Sequence, residues 1–234
     1  MLIVDRRAIV LIGAGLLIGI SAQKAVAGPP RAVVELFTSL GCSSCPPADA
    51  VVGRLSSDPA VLALSFHVDY WDDLGWKDPF SSPVSTGRQY AYAKSLREQS
   101  VFTPQLIVNG TQSLVGSQDG AIRKAVTAAN QIGFPIEPHL AETTDGHFNL
   151  TLSGPPLSAD VWEVRYVRRS TTSVRGGENG GRTLQTVNDV TQFHRIGAYS
   201  PGTFRLEPLR SPDDGIAVLV QAPGAGRILG ATAN

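Results

Sequence analysis

In the first half of the chain, apolar residues fall at two alternating spacings. The run AVVELF (32–37) is apolar and β-branched around a single Glu35, and predicts a buried strand. After the turn TSLG and Cys42-Ser-Ser-Cys45 come Pro46 and Pro47. Proline suits only a helix's first turn, because it lacks the N–H that later turns must donate. ADAVVGRL then places Val51 and Leu55 four apart on one helical face. VLALSFHVD (61–69) predicts a second strand, and TGRQYAYAKSLREQ (86–99) a second helix with Tyr90 and Lys94 on one face. PQLIVNG and TQSLVG predict a hairpin hinged at Asn109-Gly110. A closing helix is expected over 117–133, with Ser117 as N-cap, a stripe of Ile122, Ala125, Val126 and Ala129, and Gly133 as terminator.

From Pro135 the pattern changes. Short β-like runs, among them HLAETTDGHFNLTLSG, DVWEVRYVR, RTLQTVNDVTQFHRIG and GIAVLVQAP, are punctuated by Gly and Pro every ten or so residues. They predict a sandwich-like all-β region over 135–234, with Phe134 to Pro138 as linker. RGGENGGRT (175–183) lacks a Walker Lys-Ser/Thr end and a dinucleotide pattern. It reads as a hairpin loop, either mobile or folded over an active site. The connection DYWDDLGWKDPFSSP (69–83) is long and carries Trp71 and Trp76 among four aspartates. Its aromatics either pack on the sheet or wall a substrate groove.

The N-terminus adds a compartment. Arg6 and Arg7 precede an uncharged run from Ala8 to Ile20, and Ala25-Val26-Ala27 has the form of a cleavage site. That is the form of a secretory signal over 1–27, and the apolar run is shorter than the roughly 20 residues of a spanning helix. The mature chain is therefore expected to be exported, periplasmic or secreted, and not membrane-spanning; the rival reading of the same segment is an uncleaved N-terminal anchor. Removing Arg6, Arg7, Lys24 and Asp5 from totals of 20 basic and 20 acidic residues leaves 17 and 19, a net charge of −2. This balance does not point to nucleic acid, whose binders carry a basic surplus.

In an oxidising compartment the only two cysteines become the centre of interest. Cys42 and Cys45 can form a redox couple, hold a metal or close a small static ring. A ring of that size constrains the unfolded chain very little. A metal needs more ligands. His67, on the neighbouring strand, could join two thiolates around a copper ion, or be an ordinary core histidine. A helix N-terminus favours thiolate over thiol, so Cys42, at the exposed helix start, is expected to be the nucleophile and Cys45 the resolving thiol. The dithiol chemistry itself needs no bound cofactor.

The order strand, CxxC helix, strand, helix, hairpin, helix resembles thioredoxin. The stretches ELFTSLGCSSCPPAD, FHVDYWDDLGWKDPF, VFTPQLIVNG and ENGGRTL together resemble the DUF1223 family of secreted, thioredoxin-like bacterial proteins. The resemblance implies a thioredoxin-like α/β domain over 28–134 followed by the smaller β domain. It also implies a cis Thr103-Pro104 facing the cysteines and binding substrate, and a buried acid, Glu35, that takes the resolving thiol's proton. The alternative for Glu35 is a solvent-facing place at a strand edge. The expected activity is thiol–disulfide exchange with exported protein or peptide thiols and disulfides, coupled to a redox partner. The alternative is a non-enzymatic binding module or copper metallochaperone on the same fold. Trp71 and Trp76 are candidate substrate contacts.

Overall fold

The computed structural model describes residues 29–234, and the expected signal segment lies outside them. Strand β1 (Ala32–Thr38) is buried along its whole length. Its alternating side chains feed two cores. Val34 and Leu36 pack with α1 (Pro46–Leu55). Val33 and Phe37 pack with β2 (Val61–His67) on the opposite face. A 3-10 turn, Asp72–Leu74, leads to α2 (Pro83–Leu96). That helix starts three residues before the expected position, because Ser82 caps it by accepting from Ser85 N at 3.1 Å and Pro83 fills its first turn. β3 (Gln105–Val108) and β4 (Gln112–Val115) follow, then α3 (Asp119–Ile132). Gln118, not Ser117, is the residue preceding α3.

β1 runs parallel to β2 and antiparallel to β3. The β3–β4 turn is the expected Asn109-Gly110, both at positive φ (49° and 68°). Asn109 Oδ1 also accepts Val33 N at 2.7 Å, which ties the turn to β1.

The remaining strands are β5 (Glu137–Glu142), β6 (Phe148–Ser153), β7 (Asp160–Ser173), β8 (Thr183–Ala198), β9 (Gly202–Leu206), β10 (Asp214–Gln221) and β11 (Ile228–Ala233). The fold is mixed α/β, with an eight-stranded mixed sheet in the order β11-β10-β7-β8-β2-β1-β3-β4 and a small antiparallel sheet β5-β6-β9. The all-β character beyond residue 135 agrees with the sequence, and its two sets of strands pack face to face, but one set is continuous with the N-terminal sheet. β8 lies parallel to β2, bridged at Ser65↔Asp189, so four C-terminal strands extend the N-terminal sheet. An uncovered β2 edge would present unpaired N–H and C=O groups; β8 covers it through one backbone bridge and the side chains of Ser65, which donates to Val187 O, and Asn188, which donates to Ala63 O. The small sheet covers one face of this extension, packing Phe148, Leu150 and Leu152 against Val161, Ile216 and Val218. Ile136, in the expected linker, is buried and donates its N–H to Leu229 O at 2.9 Å. Among the described residues no helix is long and apolar enough to cross a membrane.

Candidate functional site

Cys42 lies in the turn after β1, and Cys45 is the N-cap residue just before α1, followed by the two prolines. The two sulfurs form a disulfide. The sequence led to an exposed Cys42, yet both cysteines have 0% exposure, while Ser43 and Ser44 between them face solvent. Three groups from distant parts of the chain converge on the Cys42 turn and account for this.

The first is Thr103. Its hydroxyl donates to Cys42 Sγ at 3.4 Å and accepts from Trp71 Nε1 at 2.9 Å. The Thr103-Pro104 peptide is cis. Pro104 reaches this depth because residue 116 is glycine: a Cβ there would stand 2.9 Å from Ala48 Cβ and 3.1 Å from Pro104 Cβ. Trp71 thus stands beside the disulfide, linked through one hydroxyl. Trp76 does not reach the cysteines through any hydrogen bond; its Cβ packs on Gly176 of the hairpin described below.

The second is a buried charge network. His67 Nδ1 lies 2.8 Å from Asp78 Oδ2, and Nε2 lies 3.1 Å from Asp189 Oδ1. All three side chains are buried. Burial alone would lower the histidine, but the charge of Asp78 and the hydrogen bonds of both carboxylates outweigh it and push it up to about 10. Asp78 is held below its ordinary value, since the charge and hydrogen bond of His67 overcome the effect of burial. Asp78 Oδ2 also accepts Leu40 N at 2.7 Å, so the network fixes the turn that carries Cys42. With both ring nitrogens donating to carboxylates, His67 has no lone pair for copper. Among the described residues no group of three or more His, Cys, Asp or Glu is arranged to hold a metal ion.

Glu35 requires a correction. It is buried, but on the face of β1 shared by Val33 and Phe37, opposite the face that packs on α1. Arg88 Nε donates to its Oε1 at 2.6 Å, and the Tyr92 hydroxyl donates to Oε2. It is the counter-ion of α2, not the acid beside Cys45. The buried carboxyl on the cysteine side is Asp49, one helical turn beyond Cys45, whose Oδ1 accepts from the Thr38 hydroxyl at 2.9 Å. Burial pushes Asp49 up to about 7, against the opposing charge of His67 and the Thr38 hydrogen bond. A carboxyl whose folded pKa is raised is stabilised in its neutral form. Asp49 therefore costs stability progressively as pH rises from its ordinary 3.8 to about 7, and the cost is complete above that. Asp49→Asn is expected to unfold at higher denaturant than the native protein at pH 8, with the advantage shrinking towards pH 4. Equal midpoints at pH 8 would place the carboxyl in contact with water.

The third is the hairpin loop between β7 and β8, closed by Val174 N donating to Arg182 O at 2.8 Å. Glu178 Oε2 accepts Ser43 N at 2.9 Å and Ser43 Oγ at 2.7 Å. Glu178 N donates to Gly41 O at 3.0 Å. Asn179 Nδ2 donates to Leu40 O at 3.0 Å and Cys42 O at 2.7 Å. Gly177, at φ 67°, lies so close to Gly41 that a Cβ would be 3.2 Å from Gly41 Cα. The glycine run is thus shaped to press against the cysteine turn. Sequence reasoning had singled out the loop but neither Glu178 nor Asn179; the signal was an acidic–amide pair flanked by glycines.

A model of a protein family of unknown function, DUF1223, matches residues 33–221, a span that contains Cys42, Cys45, Thr103, Glu178 and Asn179. The chain belongs to the DUF1223 family. This DUF1223 protein is similar to the crystal structure of a structural-genomics target from Agrobacterium tumefaciens, at 28% identity over 88% of this chain and 94% of that one, with a TM-score of 0.75. It is also similar to HBP35 of Porphyromonas gingivalis, at 16% identity over 88% of this chain and 75% of that one, with a TM-score of 0.60, a likeness of fold alone. No curated protein matches.

Proposed function

We propose that this DUF1223 protein is a thioredoxin-like thiol–disulfide oxidoreductase of exported proteins, working through the Cys42/Cys45 couple. The observation that carries the reading is the Trp71–Thr103–Cys42 hydrogen-bond chain just before α1, in which the Thr103 hydroxyl donates to one sulfur of the pair and is itself held by the Trp71 indole. In the reduced state the Cys42 thiolate attacks a substrate disulfide, forms a mixed disulfide and expels the other sulfur as a thiolate, which takes up a proton. Cys45 then loses its proton and attacks Cys42 Sγ. The mixed disulfide breaks, and two electrons have passed from the dithiol to the substrate. Asp49, with its raised pKa, suits the role of proton acceptor for Cys45. A separate redox partner, membrane or soluble, restores the dithiol.

Direction follows from charge. Thr103 and Ser44 offer only neutral hydroxyls to Cys42 Sγ, and the carboxylate of Glu178 sits on the next residue. A thiolate so placed gains little, which keeps the potential nearer that of thioredoxin, about −270 mV, than about −120 mV. Equilibration with dithiothreitol buffers, read by Trp71 fluorescence, tests both points. One two-electron transition in the reducing range, together with reduction of a model peptide disulfide, is expected. The complete burial of both sulfurs favours a second reading, a static bridge. A pair that reduces but exchanges with no disulfide establishes that reading instead.

A further inference from the structure

The hairpin loop 174–182 pairs with the backbone of the cysteine turn from Leu40 to Ser43. Gly41 O is taken by Glu178 N, Leu40 O and Cys42 O by Asn179 Nδ2, and Ser43 N and Oγ by the Glu178 carboxylate. Asn179 is itself buried, at 1% exposure, and its Oδ1 accepts from Arg182 at 2.7 Å, which fixes the amide's orientation. Nothing in the sequence of the cysteine turn demands such a partner. Its backbone groups could face water, as in any surface turn. The loop comes from 135 residues away and holds the backbone on both sides of Cys42, whose side chain has no solvent contact.

We infer that Glu178 and Asn179 are specificity-determining residues, a tethered strap that reserves Cys42 for extended peptide segments able to take over its contacts. The inference rests on the redox reading above. A segment that replaces the strap must bring an N–H for Gly41 O, donors for Leu40 O and Cys42 O, and an acceptor for Ser43. An extended chain with an acidic or amide side chain beside its cysteine supplies that set. A folded protein surface does not, because its backbone groups are already paired. The strap competes as an intramolecular ligand at high effective concentration, so weakly matched surfaces are rejected. Glu178 is held below its ordinary value by the two Ser43 hydrogen bonds, so the carboxylate keeps its acceptor role at neutral pH.

The test uses the full reduced protein. Iodoacetamide alkylation of Cys42 is followed by mass spectrometry in the native protein, Glu178→Ala, Asn179→Ala and Glu178→Gln, with circular dichroism confirming each fold. Both alanine variants are expected to alkylate about tenfold faster, the effect of losing one or two hydrogen bonds to the turn. Glu178→Gln, whose amide oxygen still accepts from Ser43, should change less. In exchange assays, the preference for an extended peptide disulfide over a folded-protein disulfide should fall in the alanine variants. Unchanged alkylation with working exchange overturns the strap alone. A Glu178→Gln effect equal to alanine, traced to an acid shift of the pH–rate profile, replaces shielding by charge and also overturns it. Faster alkylation with an unchanged substrate preference overturns the selection. Faster alkylation with no exchange on either substrate overturns the redox reading, and the selection falls with it.

Discussion

His67→Leu is expected to cost about 3–5 kcal/mol of stability at pH 6, the scale on which breaking a buried ion pair leaves charge uncompensated. The leucine would leave Asp78 and Asp189 as buried carboxylates with no cation between them. The damage reaches both ends of the network, since Asp78 also holds Leu40 N and Asp189 accepts from Thr186. The pH dependence has a definite sign. The histidine's folded pKa, about 10, lies above its ordinary 6.5, so its contribution is complete below pH 6.5 and is lost as pH rises through about 10. Denaturant unfolding of the oxidised protein at pH 6 and pH 10.5 should therefore show a large gap between native and variant that narrows at the higher pH. Leucine at all three positions should recover part of the loss, because no charge then remains to be paired. A gap below about 1 kcal/mol at pH 6 would put the triad in the class of exposed ion pairs and contradict its burial.

Cys45→Ser is expected to turn the protein into a trap. Cys42 can still attack a substrate disulfide, but no second thiol can release the product, so mixed disulfides accumulate and turnover falls to background. Cys42→Ser should fall equally far and trap nothing. The asymmetry rests on Thr103, whose hydroxyl touches Cys42 Sγ. Non-reducing electrophoresis of each variant after mixing with peptide disulfide reads it directly. Adducts on Cys42→Ser and none on Cys45→Ser would exchange the two roles.

The N-terminal elements were legible because their signals are local. Apolar runs, the Pro46-Pro47 start and Asn109-Gly110 each act within a few residues. What escaped was partnership across long distance. β8 runs beside β2, and no periodicity in either strand names the other. The trace in the sequence was a pair of polar residues inside strands, His67 in an apolar run and Asp189 in VNDV, each needing a buried counterpart. For Glu35 the sequence leaves a buried and a solvent-facing place open, and the structure buries it on the face away from α1. Alternation puts it with Val33 and Phe37, and Arg88 in the middle of α2 was the cation to pair with it. Cys42 and Cys45 were plain from their number alone. Their concealment was not, because it depends on a loop more than a hundred residues away.

That separation has a consequence for the order in which the molecule is made. Glu178 follows Ser43 by 135 residues. At roughly 5–20 residues per second of elongation, the strap arrives about 7–27 s after the cysteines it covers. Throughout that interval the thiols belong to a nascent chain with neither Glu178 nor Asp189 yet joined to it. Their first oxidation state is therefore set by the thiols and oxidants around the growing chain, before the finished protein can exercise any choice of partner.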